Sequence, residues 1–96
     1  MHRVIRTVQA RRDLTSIWVY VAERNLPAAD RLIGRFDERV NQLAEFPYLG
    51  EAQPQFGDNI RRIIVGNYLV FYEVTDDQIR ILRVFHSARK IEDLLE

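Results

Sequence analysis

The stretch Ile60-Arg61-Arg62-Ile63-Ile64-Val65-Gly66-Asn67-Tyr68-Leu69-Val70-Phe71-Tyr72-Glu73-Val74 decides the fold. Two runs rich in β-branched and aromatic residues flank Gly66-Asn67, a pair suited to a two-residue hairpin turn. After a second turn at Thr75-Asp76-Asp77 comes Gln78-Ile79-Arg80-Ile81-Leu82-Arg83-Val84-Phe85-His86, a third run of the same kind. Three such runs with short turns predict a small antiparallel sheet. The middle run is apolar on both sides, with Tyr68, Val70, Tyr72 and Val74 against Leu69 and Phe71. A strand of that kind is covered by helices on one side and partly covered on the other. The third run passes directly into Ser87-Ala88-Arg89-Lys90, so the sheet ends in a cluster of Arg, His and Lys.

Upstream of the sheet the periodicity changes. Arg3 to Thr7 reads as a short strand. From Ala10 to Arg24, Leu14, Ile17, Trp18, Val21 and Ala22 recur at helical spacing, which predicts an amphipathic helix with Trp18 in the core. Asp13 lies early in it, where a negative charge suits the helix dipole. Asn25-Leu26-Pro27 breaks the pattern, and Pro27 fits the first turn of a second helix running to about Glu45. Two helices with so short a link form an antiparallel hairpin. Phe46-Pro47-Tyr48-Leu49-Gly50 ends it, with Tyr48 expected to pack under the loop that follows and Tyr20 expected at the surface. Residues 50–59 carry Gly50, Pro54, Gly57, Asp58 and Asn59 and read as a surface loop. Beyond His86, the residues Ala88, Ile91, Leu94 and Leu95 fit a short terminal helix or a tail that folds on a partner. The predicted class is α+β, in the order β-α-α-β-β-β with a possible final helix, as one domain over residues 1–96.

Composition narrows the chemistry. Fourteen basic residues balance 14 acidic ones, so the chain as a whole is no electrostatic nucleic-acid binder. Thirteen of the basic residues are Arg and only Lys90 is Lys, which suits a protein interface or reflects a high-GC genome. With no cysteine, disulfides and thiol chemistry are excluded. No apolar run approaches the roughly 20 residues of a membrane span, and no secretory segment opens the chain, so a cytoplasmic location is expected. The four glycines are isolated and form no nucleotide-binding pattern, and neither histidine has a carboxylate pair at ligand spacing. No cofactor or metal is expected.

The candidate binding cluster comprises Arg61, Arg62, Arg83, His86, Arg89 and Lys90. Arginines hold phosphates or carboxylates, and His86 could shuttle a proton near neutral pH. In the simpler reading, Arg83 and His86 finish a sheet edge and pair with Glu73, Asp76 or Asp77, while Arg61 and Arg62 are solvated edge residues.

Five pieces taken together resemble the ParE/RelE superfamily of bacterial type II toxin–antitoxin toxins. They are Arg12-Asp13-Leu14-x-x-Ile17-x-x-Tyr20, then Ala28/Ala29 opening the second helix, and Leu43-Ala44-Glu45-Phe46-Pro47-x-x-Gly50. The remaining two are Arg61-Arg62-Ile63-x-x-Gly66-x-Tyr68-x-Val70-Phe71-Tyr72-x-Val74 and Ile79-Arg80-Ile81-Leu82-Arg83-Val84-Phe85-His86-x-x-Arg89. The resemblance implies a helical hairpin followed by a sheet, and two activities compete within it. RelE-like members are ribosome-dependent mRNA endonucleases; ParE-like members are associated with inhibition of DNA gyrase. The RelE-type motif carries a catalytic Arg directly after the Tyr that stands here as Tyr68, and this chain has Leu69. It also uses lysines along the preceding strand, where this chain has Arg62 and Ile64. A nuclease here would have to use Arg62, His86 and Arg89. The departure favours the ParE branch, a gyrase inhibitor that acts by binding and is neutralised by a ParD-like antitoxin. The groove between hairpin and sheet is that antitoxin's expected seat, with acidic residues meeting Arg61, Arg62 and Arg83. A further reading is an inactive member that acts as co-repressor, touching DNA only through its antitoxin.

Overall fold

The first strand finds its partner at the far end of the chain. In the computed structural model, which describes residues 1–88, β1 (Arg3–Arg6) lies parallel to β5 (Gln78–His86), with Arg3 opposite Gln78 and Arg6 opposite Ile81. Helices α1 (Val8–Ala22) and α2 (Leu26–Gln42) follow β1. Then come the two-residue strand β2 (Glu51–Ala52), a 3-10 turn over Pro54–Phe56, β3 (Ile60–Val65), β4 (Tyr68–Val74) and β5. The sheet has five strands in the order β1-β5-β4-β3-β2, antiparallel except where β1 meets β5.

Local chemistry sets the boundaries. Thr7 caps α1, its hydroxyl accepting the Ala10 N–H at 3.1 Å, and Asn25 caps α2 by accepting the Ala28 N–H at 3.0 Å. Helix α1 thus starts two residues before the apolar spacing alone implies, while Pro27 lies in the first turn of α2 as expected. Between β3 and β4, Gly66 takes φ 59° and no other residue of the two-residue loop has positive φ, as a type II′ turn requires.

The two sheet faces differ. One packs under the hairpin, where Ala10, Phe36, Val40 and Leu43 of the helical segment meet Ile63, Val65, Val70, Tyr72, Ile79 and Ile81. The other holds a smaller cluster of Leu69, Phe71 and Phe85, closed by Phe56 and Ile60. Residues 50–59 are therefore more than a surface loop: they supply an edge strand and carry Phe56 to within 5.8 Å of the Phe71 ring.

Two aromatic residues depart from expectation. Trp18 is half-buried and outside the core, its indole N–H donating to Asp30 at 3.0 Å across the outside of the hairpin. The face of α1 turned to the sheet is that of Ala10, Leu14 and Ile17, and Trp18 sits at its margin. Tyr48 is 67% exposed instead of lying under the loop, because the Arg61 guanidinium stacks over its ring at 4.9 Å and holds it outside. Tyr20, at 58%, is at the surface as expected. The proposed terminal helix lies outside the described residues.

Candidate functional site

Strand β1 ends opposite Ile81, and from there the outer edge of β5 has no strand beside it among the described residues. Helix α1 takes over. The Asp13 carboxylate accepts the Val84 N–H at 2.9 Å, standing in for a missing ladder bond. It also accepts Arg83 Nε at 2.9 Å and Arg83 Nη2 at 3.3 Å, a bidentate pair largely withdrawn from water. A register shift in β4–β5 sets Phe71 opposite Arg83 but Tyr72 opposite Ile81, leaving Leu82 as the extra residue beside Arg83. The dipole role expected for Asp13 gives way to this bond, since the residue stands well past the first turn of α1.

Beyond that pair, α1 and the sheet diverge and leave a cleft of about 590 Å³. Its walls are Asp13, Ser16, Ile17 and Tyr20 from α1, with Tyr68, Val84, Phe85 and His86 from the sheet. The Tyr68 ring is fixed edge-on between Phe36, at 5.6 Å, and His86, at 5.3 Å. Burial, reinforced by the neighbouring Tyr20 phenol, pushes the Tyr68 hydroxyl above its ordinary pKa. His86 is exposed, and its Nδ1 accepts the Ala88 N–H at 3.0 Å, so in the neutral ring the proton sits on Nε2. Arg24 covers the outer face of Tyr20, 3.9 Å from the ring centroid. The cleft thus combines apolar walls, from Ile17, Val84 and Phe85, with polar ones, from Asp13, Ser16 and His86.

The predicted residues do not converge. Arg61 Nη1 donates to the carbonyls of Gly50, at 2.7 Å, and Tyr48, at 3.3 Å, and so holds the chain beyond α2. Arg62 stands opposite Phe71 on the second face and pairs with Glu51 at 3.3 Å. Arg83 is engaged with Asp13, and the expected partner Glu73 pairs with Arg80 instead, at 3.1 Å. Only His86 of the predicted set lines the cleft; Arg89 and Lys90 lie outside the described residues. Sequence reading missed Asp13, Ser16, Tyr20 and Tyr68. A signal for three of the α1 residues was present, because Asp13, Ile17 and Tyr20 recur at i, i+4 and i+7 and share one helix face. Among the described residues, no group of His, Asp or Glu is placed to hold a metal, and no helix is long and apolar enough to cross a membrane.

Comparison with known proteins gives the family. The model of the ParE toxin of the type II toxin–antitoxin system parDE matches residues 4–91. The chain belongs to this ParE toxin family. It is 32% identical over 89 residues to Toxin RelE2 of Caulobacter vibrioides, covering 93% of this chain and 99% of that one. Toxin ParE1 of the same organism is 28% identical over 81 residues, covering 83% of each chain. Among solved structures, the chromosomal ParDE system of P. aeruginosa superposes with a TM-score of 0.76 at 21% identity, over 90% of this chain and 96% of that one. The RelBE2 toxin–antitoxin complex of Mycobacterium tuberculosis superposes with a TM-score of 0.60 at 25% identity, over 88% and 96%. The predicted α+β fold and superfamily are confirmed, and the chain is a toxin of a type II toxin–antitoxin system.

Proposed function

We propose that this toxin inhibits DNA gyrase by binding it, in the cytoplasm, and is neutralised by a cognate antitoxin seated in the cleft between α1 and the sheet. The observation that carries the reading is the separation of the polar groups a nuclease would need. Cleavage of RNA by its own 2′-hydroxyl requires a base, an acid for the leaving group and a cation on the phosphate, all within hydrogen-bond reach of one phosphodiester. Arg62 lies on the second face of the sheet and His86 on the helix-covered face. The slot after Tyr68 is Leu69, inside an apolar cluster with Phe71 and Phe85. That arrangement supports action by binding alone. The antitoxin part of the proposal is supported by the two structural neighbours, both of them toxin–antitoxin assemblies.

One observation favours a second reading, the ribosome-dependent mRNA endonuclease. The chain is 32% and 35% identical to relatives named RelE2 and RelE3, against 28% for ParE1. Supercoiling of relaxed plasmid by gyrase, with purified toxin and with toxin plus antitoxin, separates the two. Inhibition that the antitoxin reverses is the expected result. Full supercoiling at high toxin excess, together with ribosome-dependent mRNA cleavage that Arg89→Ala abolishes, would replace gyrase by the ribosome as target.

A further inference from the structure

The exposed side of α2, away from the cleft, carries a row of arginines and a glycine. Arg31, Arg35 and Arg39 recur at every fourth position, and none of them meets a carboxylate among the described residues. Arg39 donates to the Ile64 carbonyl at 3.1 Å, and the Arg35 guanidinium lies over the β3–β4 turn, 3.5 Å from where a side chain on Gly66 would begin. Arg31 is exposed one turn nearer the start of the helix. Between Arg31 and Arg35 stands Gly34, also exposed. A glycine in a helix interior is destabilising relative to alanine, and an internal reason is usually visible. Here there is none, since a Cβ at Gly34 would have nothing within 4 Å. Without a side chain there, the helix backbone lies open to close approach from outside.

We infer that this face of α2 docks an acidic helix of a partner protein, which crosses α2 over Gly34 and sets carboxylates against Arg31 and Arg35. Glutamates four residues apart on a helix are about 6 Å apart, the same spacing as the two arginines, so one helix face matches the other. Glu38 shares the exposed face and repels a continuous polyanion, whereas a polypeptide with spaced carboxylates avoids it. The backbone N–H groups at mid-helix are consumed by carbonyls of the preceding turn, so Gly34 offers a phosphate no donor. A second copy of this chain is disfavoured because Arg31, Gly34, Arg35, Glu38, Asn41 and Gln42 include no large apolar anchor. The surface is distinct from the cleft, whose walls come from α1, β4 and β5, so both can be occupied together. The inference stands whether the toxin's target is gyrase or the ribosome.

Fluorescence anisotropy tests it, with a labelled alanine-rich helical peptide carrying Glu at every fourth position and a labelled short DNA duplex for comparison. The peptide is expected to bind saturably and more weakly as salt is added. The double variant Arg31→Ala/Arg35→Ala should weaken it about 2- to 30-fold, the range for two exposed charge pairs. Gly34→Ala should weaken it as well while raising the melting temperature by about 4–8 °C, so that the loss cannot come from unfolding. Equal peptide binding by wild type and both variants, or none by wild type, would overturn the proposal. Tighter binding of the duplex would make the face a nucleic-acid surface instead. Concentration-dependent dimerisation abolished by Gly34→Ala would make it a contact between copies of this chain.

Discussion

At the scale of single residues, Tyr72 explains why the chain reads Phe46-Pro47-x-x-Gly50 at the end of the hairpin. Its hydroxyl, fully buried, donates to the Pro47 carbonyl at 2.9 Å and accepts the Gly50 N–H at 2.8 Å. Gly50 must be glycine for a steric reason: a Cβ there would stand 2.6 Å from the Tyr72 oxygen and 2.7 Å from the Arg62 carbonyl. Tyr72→Phe leaves both backbone groups unpaired, so thermal or urea unfolding should show a loss of about 1–3 kcal/mol. Burial pushes the Tyr72 pKa up, against the opposing pull of the Gly50 hydrogen bond and the Arg61 charge. The folded state therefore favours the neutral phenol. Its contribution is complete below the ordinary tyrosine value near 10 and is lost as pH rises from there through the raised pKa. Tyr68 shifts in the same direction. Stability should accordingly decline above about pH 10, and less steeply in Tyr72→Phe. An unchanged slope in that variant would assign the alkaline loss to other groups.

Between elements, the joint to watch is Asp13, which ties α1 to the stretch of β5 that β1 does not reach. Asp13→Ala removes an acceptor from the Val84 N–H and strands most of the Arg83 charge, a loss of about 3 kcal/mol by urea denaturation. Asp13→Asn keeps an acceptor for the N–H and should lose clearly less; equal losses would mean the ion pair carries the whole effect. The sequence made the strands legible because alternation and a Gly66-Asn67 turn are local signals. The bond from Asp13 to β5 was not legible, since it depends on where β1 stops along a strand more than seventy positions later. Trp18 shows a second limit. Residues Leu14, Ile17, Trp18 and Val21 fit one apolar stripe, but the stripe is wider than the face that packs, and its margin bonds to Asp30 instead. His86 was legible as a candidate from its place at a strand end. Its neighbour Tyr68 was not, because the cleft exists only once helix and sheet are brought together.

At the scale of the whole molecule, the parallel β1–β5 pair and the α1–β5 joint tie the hairpin to the sheet among the described residues. Hairpin and sheet share one core, with Phe36 and Leu43 packed on Val70 and Tyr72. Trp18 fluorescence, which reports on the hairpin, and far-UV circular dichroism, which reports on the entire backbone, should therefore trace coincident thermal transitions. Separate midpoints would show the hairpin to be an independent unit.

The same pairing governs when the chain can fold. A ribosome emits Arg3–Arg6 early and Gln78–Ile81 late, and until the second segment emerges the first has no neighbour. Asp13 then lacks the Val84 N–H, and the cleft lacks the wall formed by Val84, Phe85 and His86. A message broken or a ribosome stalled upstream of Gln78 yields an unfolded peptide open to proteolysis. Formation of the shared core is thus tied to the synthesis of β5, however early β1 emerges.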